Sequence, residues 1–111
     1  MKQNGHITIK MLSSVGSFAE DKDMARELRL KKILPALQGD KKVILDFSGV
    51  TSTTQSFVHA LISELIRDFG VNILDRIVFK ACNDTVKSLV LIVIEYMQYE
   101  EEPTESPTSL P

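Results

Sequence analysis

Residues 43–57 read VILDFSGVTSTTQSF, and the change of pattern within them decides the fold. Lys42–Phe47, KVILDF, is a compact run of β-branched and aromatic residues, the composition of a buried strand. Ser48-Gly49 closes it with turn chemistry. Five hydroxyl residues follow, at Thr51, Ser52, Thr53, Thr54 and Ser56, and from Phe57 onward the apolar period is helical. At 100° per residue, Phe57, Val58, Leu61, Ile62, Leu65, Ile66 and Phe69 fill one broad face. Ser56, Ala60, Ser63 and Arg67 line the centre of the other, and Gly70 supplies a stop. The spacing predicts a helix over Thr54–Phe69, with one face on a sheet and the other looking outward.

Two further strands lie to either side of this junction. His6–Leu12 alternates Ile7 and Ile9 with polar neighbours, and Arg76–Ala81 reads RIVFKA. A helix is expected over about Asp21–Gln38, with acids near its positive end and Gly39 at its close. Its apolar residues do not share one stripe. Met24, Ala25 and Leu28 lie nearly opposite Leu30, Ile33, Leu34 and Leu37, and Pro35 removes a backbone donor. A bend or break near Lys31–Leu34 reconciles these positions, as does burial of both faces. A last helix, Asn83–Gln98, begins at an Asn83 or Asp84 cap and is apolar nearly all round at Leu89–Ile94. Either neighbouring elements cover that run, or it serves a homodimer or partner contact. The resulting β-α-β-α-β-α order predicts an α/β domain, with a mostly parallel sheet of three to four strands and helices packed against it.

The chain has 111 residues, 43% of them hydrophobic and 25% charged, enough for one small domain over about residues 1–98. Its single cysteine excludes an internal disulfide framework and fits a reducing compartment. Leu89–Ile94 is the longest purely apolar run, far short of the ~20 residues that span a bilayer. Met1–Lys10 lacks the apolar stretch of a signal peptide, so a cytoplasmic location away from the membrane is expected. The net charge of −2 is unevenly spread. Glu100, Glu101, Glu102 and Glu105 fall in the last twelve residues, so residues 99–111, YEEEPTESPTSLP, read as an acidic disordered tail. Arg26, Arg29, Lys31, Lys32, Lys41 and Lys42 form the basic cluster of the body. No aromatic interleaves them, so base stacking has no platform and nucleic acid is not the favoured partner.

Catalytic constellations are scarce. His6, His59 and Cys82 have no metal-ligand spacing, and no glycine-rich phosphate loop is present. No cofactor or metal is expected. Asp46, Ser56 and His59 could be strung into a triad, but their order fits no nucleophile elbow, and an exposed pair has no water-excluded pocket. The residues therefore argue against an enzyme. What remains is the hydroxyl turn. One of its side chains is accounted for by helix capping. The others sit near the positive end of the helix, where an added phosphate meets free N–H donors.

The block VILDFSGVTSTTQSFVHALISELIRDFG, followed by IVFKACNDTVKSLV, resembles the STAS-like domain family of unknown function. That family is found in bacteria and archaea and is related to the anti-sigma-factor antagonists. The resemblance rests on Asp46, Phe47, Gly49, Val50, Ser56 and Phe57, then on Phe79, Lys80, Cys82, Val86 and Lys87, and covers about residues 20–97. In the antagonists an Asp-Ser-Ser/Thr-Gly segment opens this helix, and a kinase with a histidine-kinase-type ATP fold phosphorylates its first serine. Alignment on that pattern puts Thr54 at the aspartate, Gln55 at the phosphoserine and Ser56 one residue beyond. Gln55 has no hydroxyl, which leaves Ser56, or Thr54 by a shift of one, as the phosphorylation candidate.

The resemblance implies a non-enzymatic, regulatory protein-interaction module whose partner is a histidine-kinase-like ATPase. The expected contact surface comprises Ser52, Thr53, Thr54, Gln55, Ser56, His59, Ser63 and Arg67. Two other readings stand beside it: nucleic-acid binding through Arg26–Lys42, and a nucleotide or small ligand at the carboxyl ends of the strands.

Overall fold

A computed structural model describes residues 5–101 of the chain, with side-chain exposure for 5–98. Three parallel strands, β1 (His6–Lys10), β3 (Lys42–Asp46) and β5 (Ile77–Lys80), form a sheet in the order β1-β3-β5. A two-residue parallel pair, β2 (Phe18–Ala19) with β4 (Ser52–Thr53), stands apart from it. The helices are α1 (Met11–Val15), α2 (Lys22–Leu28), α3 (Leu34–Gln38), α4 (Gln55–Phe69) and α5 (Asp84–Glu101). The predicted α/β class and mostly parallel sheet are what the structure has. None of the described helices is long and apolar enough to cross a membrane.

Strand order explains the layering. Both crossovers step the same way across the sheet, and right-handed connections then put both crossover helices on one face. Register confirms it. Ile9, Leu45 and Phe79 sit side by side on the helix face, as do Ile7, Val43 and Ile77. Val43 and Leu45 are fully buried there. On the other face Lys10, Asp46 and Lys80 form one row and Thr8, Ile44 and Val78 the next. Val78 is 41% exposed, so this side of the sheet meets solvent, although parallel sheets are usually covered on both faces.

The expected elements are present with corrected ends. β1 stops at Lys10 rather than Leu12. The Ser13 and Ser14 hydroxyls both donate to Lys10 O and turn the chain into α1, which buries Met11. β5 ends before Ala81, because that residue takes a left-handed φ of 59°. The long first helix is neither smooth nor broken. Between α2 and α3 it widens into a π-helical stretch, Arg29–Ile33, that ends two residues before Pro35. Proline has no N–H for the α-helical bond, and π-bulges are one way a helix absorbs such a defect. The wider turn brings Ile33, Ala36 and Leu37 onto the side that Ala25 and Leu28 already bury, and leaves Leu30 49% exposed. α5 runs to Glu101, three residues into the expected tail. The remainder of that tail, residues 102–111, lies outside the described residues.

Candidate partner-binding groove

The hydroxyl turn is built by partners far away in sequence. Asp46, at the end of β3, accepts from the Ser48 hydroxyl (2.7 Å) and backbone N–H (2.9 Å). These bonds, helped by Lys80 and Lys10 alongside, hold its carboxyl below the ordinary aspartate range. Val50 N–H donates to Phe47 O across the turn, and Gly49 takes a φ of 83° that L-residues avoid. Thr51 then donates its hydroxyl to Ser17 O (3.1 Å) and Thr53 to Ala19 O (2.7 Å), tying the turn to β2. Thr54 is the cap of α4, its hydroxyl accepting from Phe57 N–H at 3.1 Å. Asn83 braces the same turn from the other side. Its amide donates to Thr51 O (2.9 Å), while its oxygen accepts from Val86 N–H and caps α5.

The five hydroxyls therefore have different roles. Thr53 is buried at 4% exposure, Thr54 and Ser52 are half-buried, and Thr51 is exposed but bonded. Ser56 is exposed on the first turn of α4, beside Gln55. Both line a groove of about 520 Å³ between α2, α4 and α5, together with Lys22, His59, Val93 and Tyr96. The groove continues along α4 as a smaller depression of about 260 Å³ under Arg26 and Arg29, reaching Glu64 and Arg67. Its cations, Lys22, Arg26, Arg29 and Arg67, outnumber its carboxylates, Asp23 and Glu64.

The polar face of α4 does not look outward along its whole length. α2 packs beside it, and the part-buried Arg29 guanidinium donates to Ala60 O at 2.6 Å. That contact roofs the helix where the sequence pattern suggested open surface. Ser63, expected on the partner surface, is only 3% exposed and lies on the floor of the depression. His59 is half-buried, its ring centroid 6.4 Å from that of Tyr96. Arg67 stays exposed and pairs with Glu64 at 3.1 Å. Of the expected surface residues, Gln55, Ser56, His59, Ser63 and Arg67 thus line one continuous groove, and Ser52, Thr53 and Thr54 build the turn at its head.

Sequence reasoning missed the other wall. Lys22, Asp23 and Arg26 come from α2, Arg29 from the π-helical stretch that follows it, and Val93 and Tyr96 from α5. Only Arg26 and Arg29 carried a prior signal, as part of the basic cluster. That cluster is divided among surfaces: Arg26 and Arg29 enter the groove, Lys31 pairs with Glu27 at 2.9 Å, and Lys42 opens β3 on the exposed sheet face. The triad residues are also separated, since Asp46 is on the sheet face opposite the helices and is held by Ser48. Cys82 is half-buried, and burial pushes its thiol above the ordinary range. Among the described residues no three His, Cys, Asp or Glu side chains gather as metal ligands.

Residues 25–87, running from α2 through the hydroxyl turn and α4 to the first turn of α5, match the family described as STAS-like domain of unknown function. The chain belongs to that family. The match lies within the 20–97 span of the resemblance and includes every residue of the expected surface. It starts after Lys22 and Asp23 and ends before Val93 and Tyr96, so four groove residues contributed by α2 and α5 fall outside it. No curated protein and no solved structure matches the chain.

Proposed function

We propose that this STAS-like domain is a non-enzymatic regulatory module. It binds a protein partner through the Thr51–Ser56 turn and the groove between α2, α4 and α5. By family kinship, the partner is a histidine-kinase-like ATPase, and phosphorylation of Ser56 switches the contact. One observation carries this reading: Ser56 is an exposed hydroxyl on the first turn of α4, with no hydrogen bond among the described residues, lining the groove together with Lys22 where it continues toward Arg26 and Arg29. Phosphate transferred from ATP to its Oγ would sit at the first turn of α4, near Lys22, where backbone N–H groups and the helix dipole favour negative charge. Thr54 supports the same assignment, because its hydroxyl already caps the helix.

The test combines the purified chain with a histidine-kinase-like ATPase from the same organism. Calorimetry compares wild type with Ser56→Asp, and intact mass and peptide mapping follow phosphate after addition of ATP. The expected result is binding, phosphate on Ser56, and an affinity changed about tenfold or more by Ser56→Asp. Binding that Ser56→Asp leaves unchanged, with Ser56 unmodified, refutes the switch. Absence of binding refutes this partner class.

The size of the groove favours one second reading, since about 520 Å³ falls within the range of small-ligand sites. A nucleotide that raises the melting temperature of wild type but not of Lys22→Ala would establish it. Nucleic-acid binding, the third reading, predicts affinity that falls steeply with salt and is indifferent to Ser56.

A further inference from the structure

The apolar middle of α5 is only half covered by its own protomer. Val86, Val90, Val93 and Met97 form its buried stripe, whereas Leu91 is 54% and Ile92 47% exposed. Around Leu91 the outer face carries Asp84, Lys87, Glu95 and Gln98, all exposed and at helical spacings that place them on one side. Their order is complementary about Leu91. Lys87 lies one turn before it and Glu95 one turn after; Asp84 lies two turns before and Gln98 two turns after. Neither Lys87 nor Glu95 takes part in an ion pair among the described residues.

In a two-fold contact, residue i meets j while j meets i. Antiparallel α5 helices related by an axis at Leu91 would set Lys87 opposite the partner's Glu95 and Asp84 opposite the partner's Gln98. Leu91 would pack on its own copy. We propose that this chain forms a two-fold homodimer through the outer face of α5, centred on Leu91 and flanked by reciprocal Lys87–Glu95 ion pairs.

Two neighbouring features fit a second copy as the occupant. Beside Leu91 opens a cleft of about 340 Å³ whose lining includes Phe79, Cys82, Val90 and Ile94, with Lys87 its one charged lining residue. It would accept apolar side chains from the facing helix. The cleft borders β5, which among the described residues pairs with β3 alone and leaves its outer edge without a strand partner. α5 is 18 residues long, about 27 Å at 1.5 Å per residue. A wall of that length, widened by the cleft and strand edge, is long enough to seat an antiparallel copy of the same helix. Tyr96 and Val93, which line the groove, lie on the other flank of α5. The dimer thus leaves both grooves open, and the inference stands apart from the proposed partner.

The experiment is sedimentation equilibrium of the full chain from micromolar to submillimolar concentration. Wild type, Leu91→Asp, Lys87→Glu, Glu95→Lys and the double reversal Lys87→Glu/Glu95→Lys are compared, with circular dichroism checking the fold of each. Expected are a monomer–dimer equilibrium for wild type and a monomer for Leu91→Asp. Each single reversal weakens the dimer by about tenfold, because it replaces two attractive pairs with two repulsive ones, and the double reversal restores it. A wild-type monomer throughout overturns the proposal. So does a dimer that persists unchanged in Leu91→Asp, which places the interface elsewhere, for instance on the open sheet face. Failure of the double reversal to restore association overturns the antiparallel pairing.

Discussion

Thr54 and Ser56, two residues apart in the same turn, should respond unequally to loss of their hydroxyls. The Thr54 oxygen accepts from Phe57 N–H at 3.1 Å and satisfies one of the first-turn donors of a helix that otherwise has no side-chain cap. Thr54→Ala leaves the backbone N–H of the buried Phe57 without that acceptor. Losses of this kind cost about 1 kcal/mol, which lowers the melting temperature of a domain this size by roughly 5 °C. Ser56→Ala removes a solvated hydroxyl with no intramolecular partner and introduces a better helix former, so the change should stay within about 0.5 kcal/mol. Ser56→Asp adds a carboxylate to the first turn of a helix with no acid there, worth about 0.3–1 kcal/mol of stabilisation at low salt. Urea unfolding followed by circular dichroism, with thermal melts alongside, measures all three. If Ser56→Ala were as costly as Thr54→Ala, Ser56 would be a structural residue. The claim that it is the hydroxyl presented to a partner would then fall.

Gly49→Ala should destabilise the domain by about 1–2 kcal/mol in the same assay, the cost of an L-residue in the left-handed region. Its new Cβ would also meet Leu12 Cδ2 at 2.7 Å, but that exposed side chain can move aside, so most of the loss should persist in Leu12→Ala/Gly49→Ala. Asp46 has its carboxyl pKa depressed by Ser48. Its contribution is therefore fully present above the unfolded value of ~3.9 and is lost as pH falls through the lower folded value. The stability gap between wild type and Asp46→Asn should be constant near neutrality and shrink in acid; a gap that widens in acid contradicts the sign. Arg29→Met keeps much of the side-chain volume but removes the bond to Ala60 O. A loss of about 1–3 kcal/mol is expected, together with faster hydrogen exchange at the α2–α4 contact, and no loss would mean the guanidinium does not hold the groove wall.

What the sequence determined by itself was whatever neighbours along the chain dictate. The strand at Lys42–Asp46, the turn at Ser48-Gly49, the helix after Thr54 and its stop at Gly70 all follow from local period and backbone preference. Pro35 likewise announced a disturbed first helix. The family was legible for the same reason, since its pattern lies in two short continuous stretches, Asp46–Phe57 and Phe79–Lys87. Tertiary structure decided what depends on contacts between distant residues. Which hydroxyl caps, which ties and which is presented was set by Ser17 O and Ala19 O, each 34 residues from its threonine. Ser63 is buried because α2 lies over α4, and a helical wheel of α4 alone cannot show that neighbour. The second wall of the groove depends on where α2 and α5 cross α4. The bare sheet face arises because two right-handed crossovers run in the same direction, a property of strand order that no single segment contains.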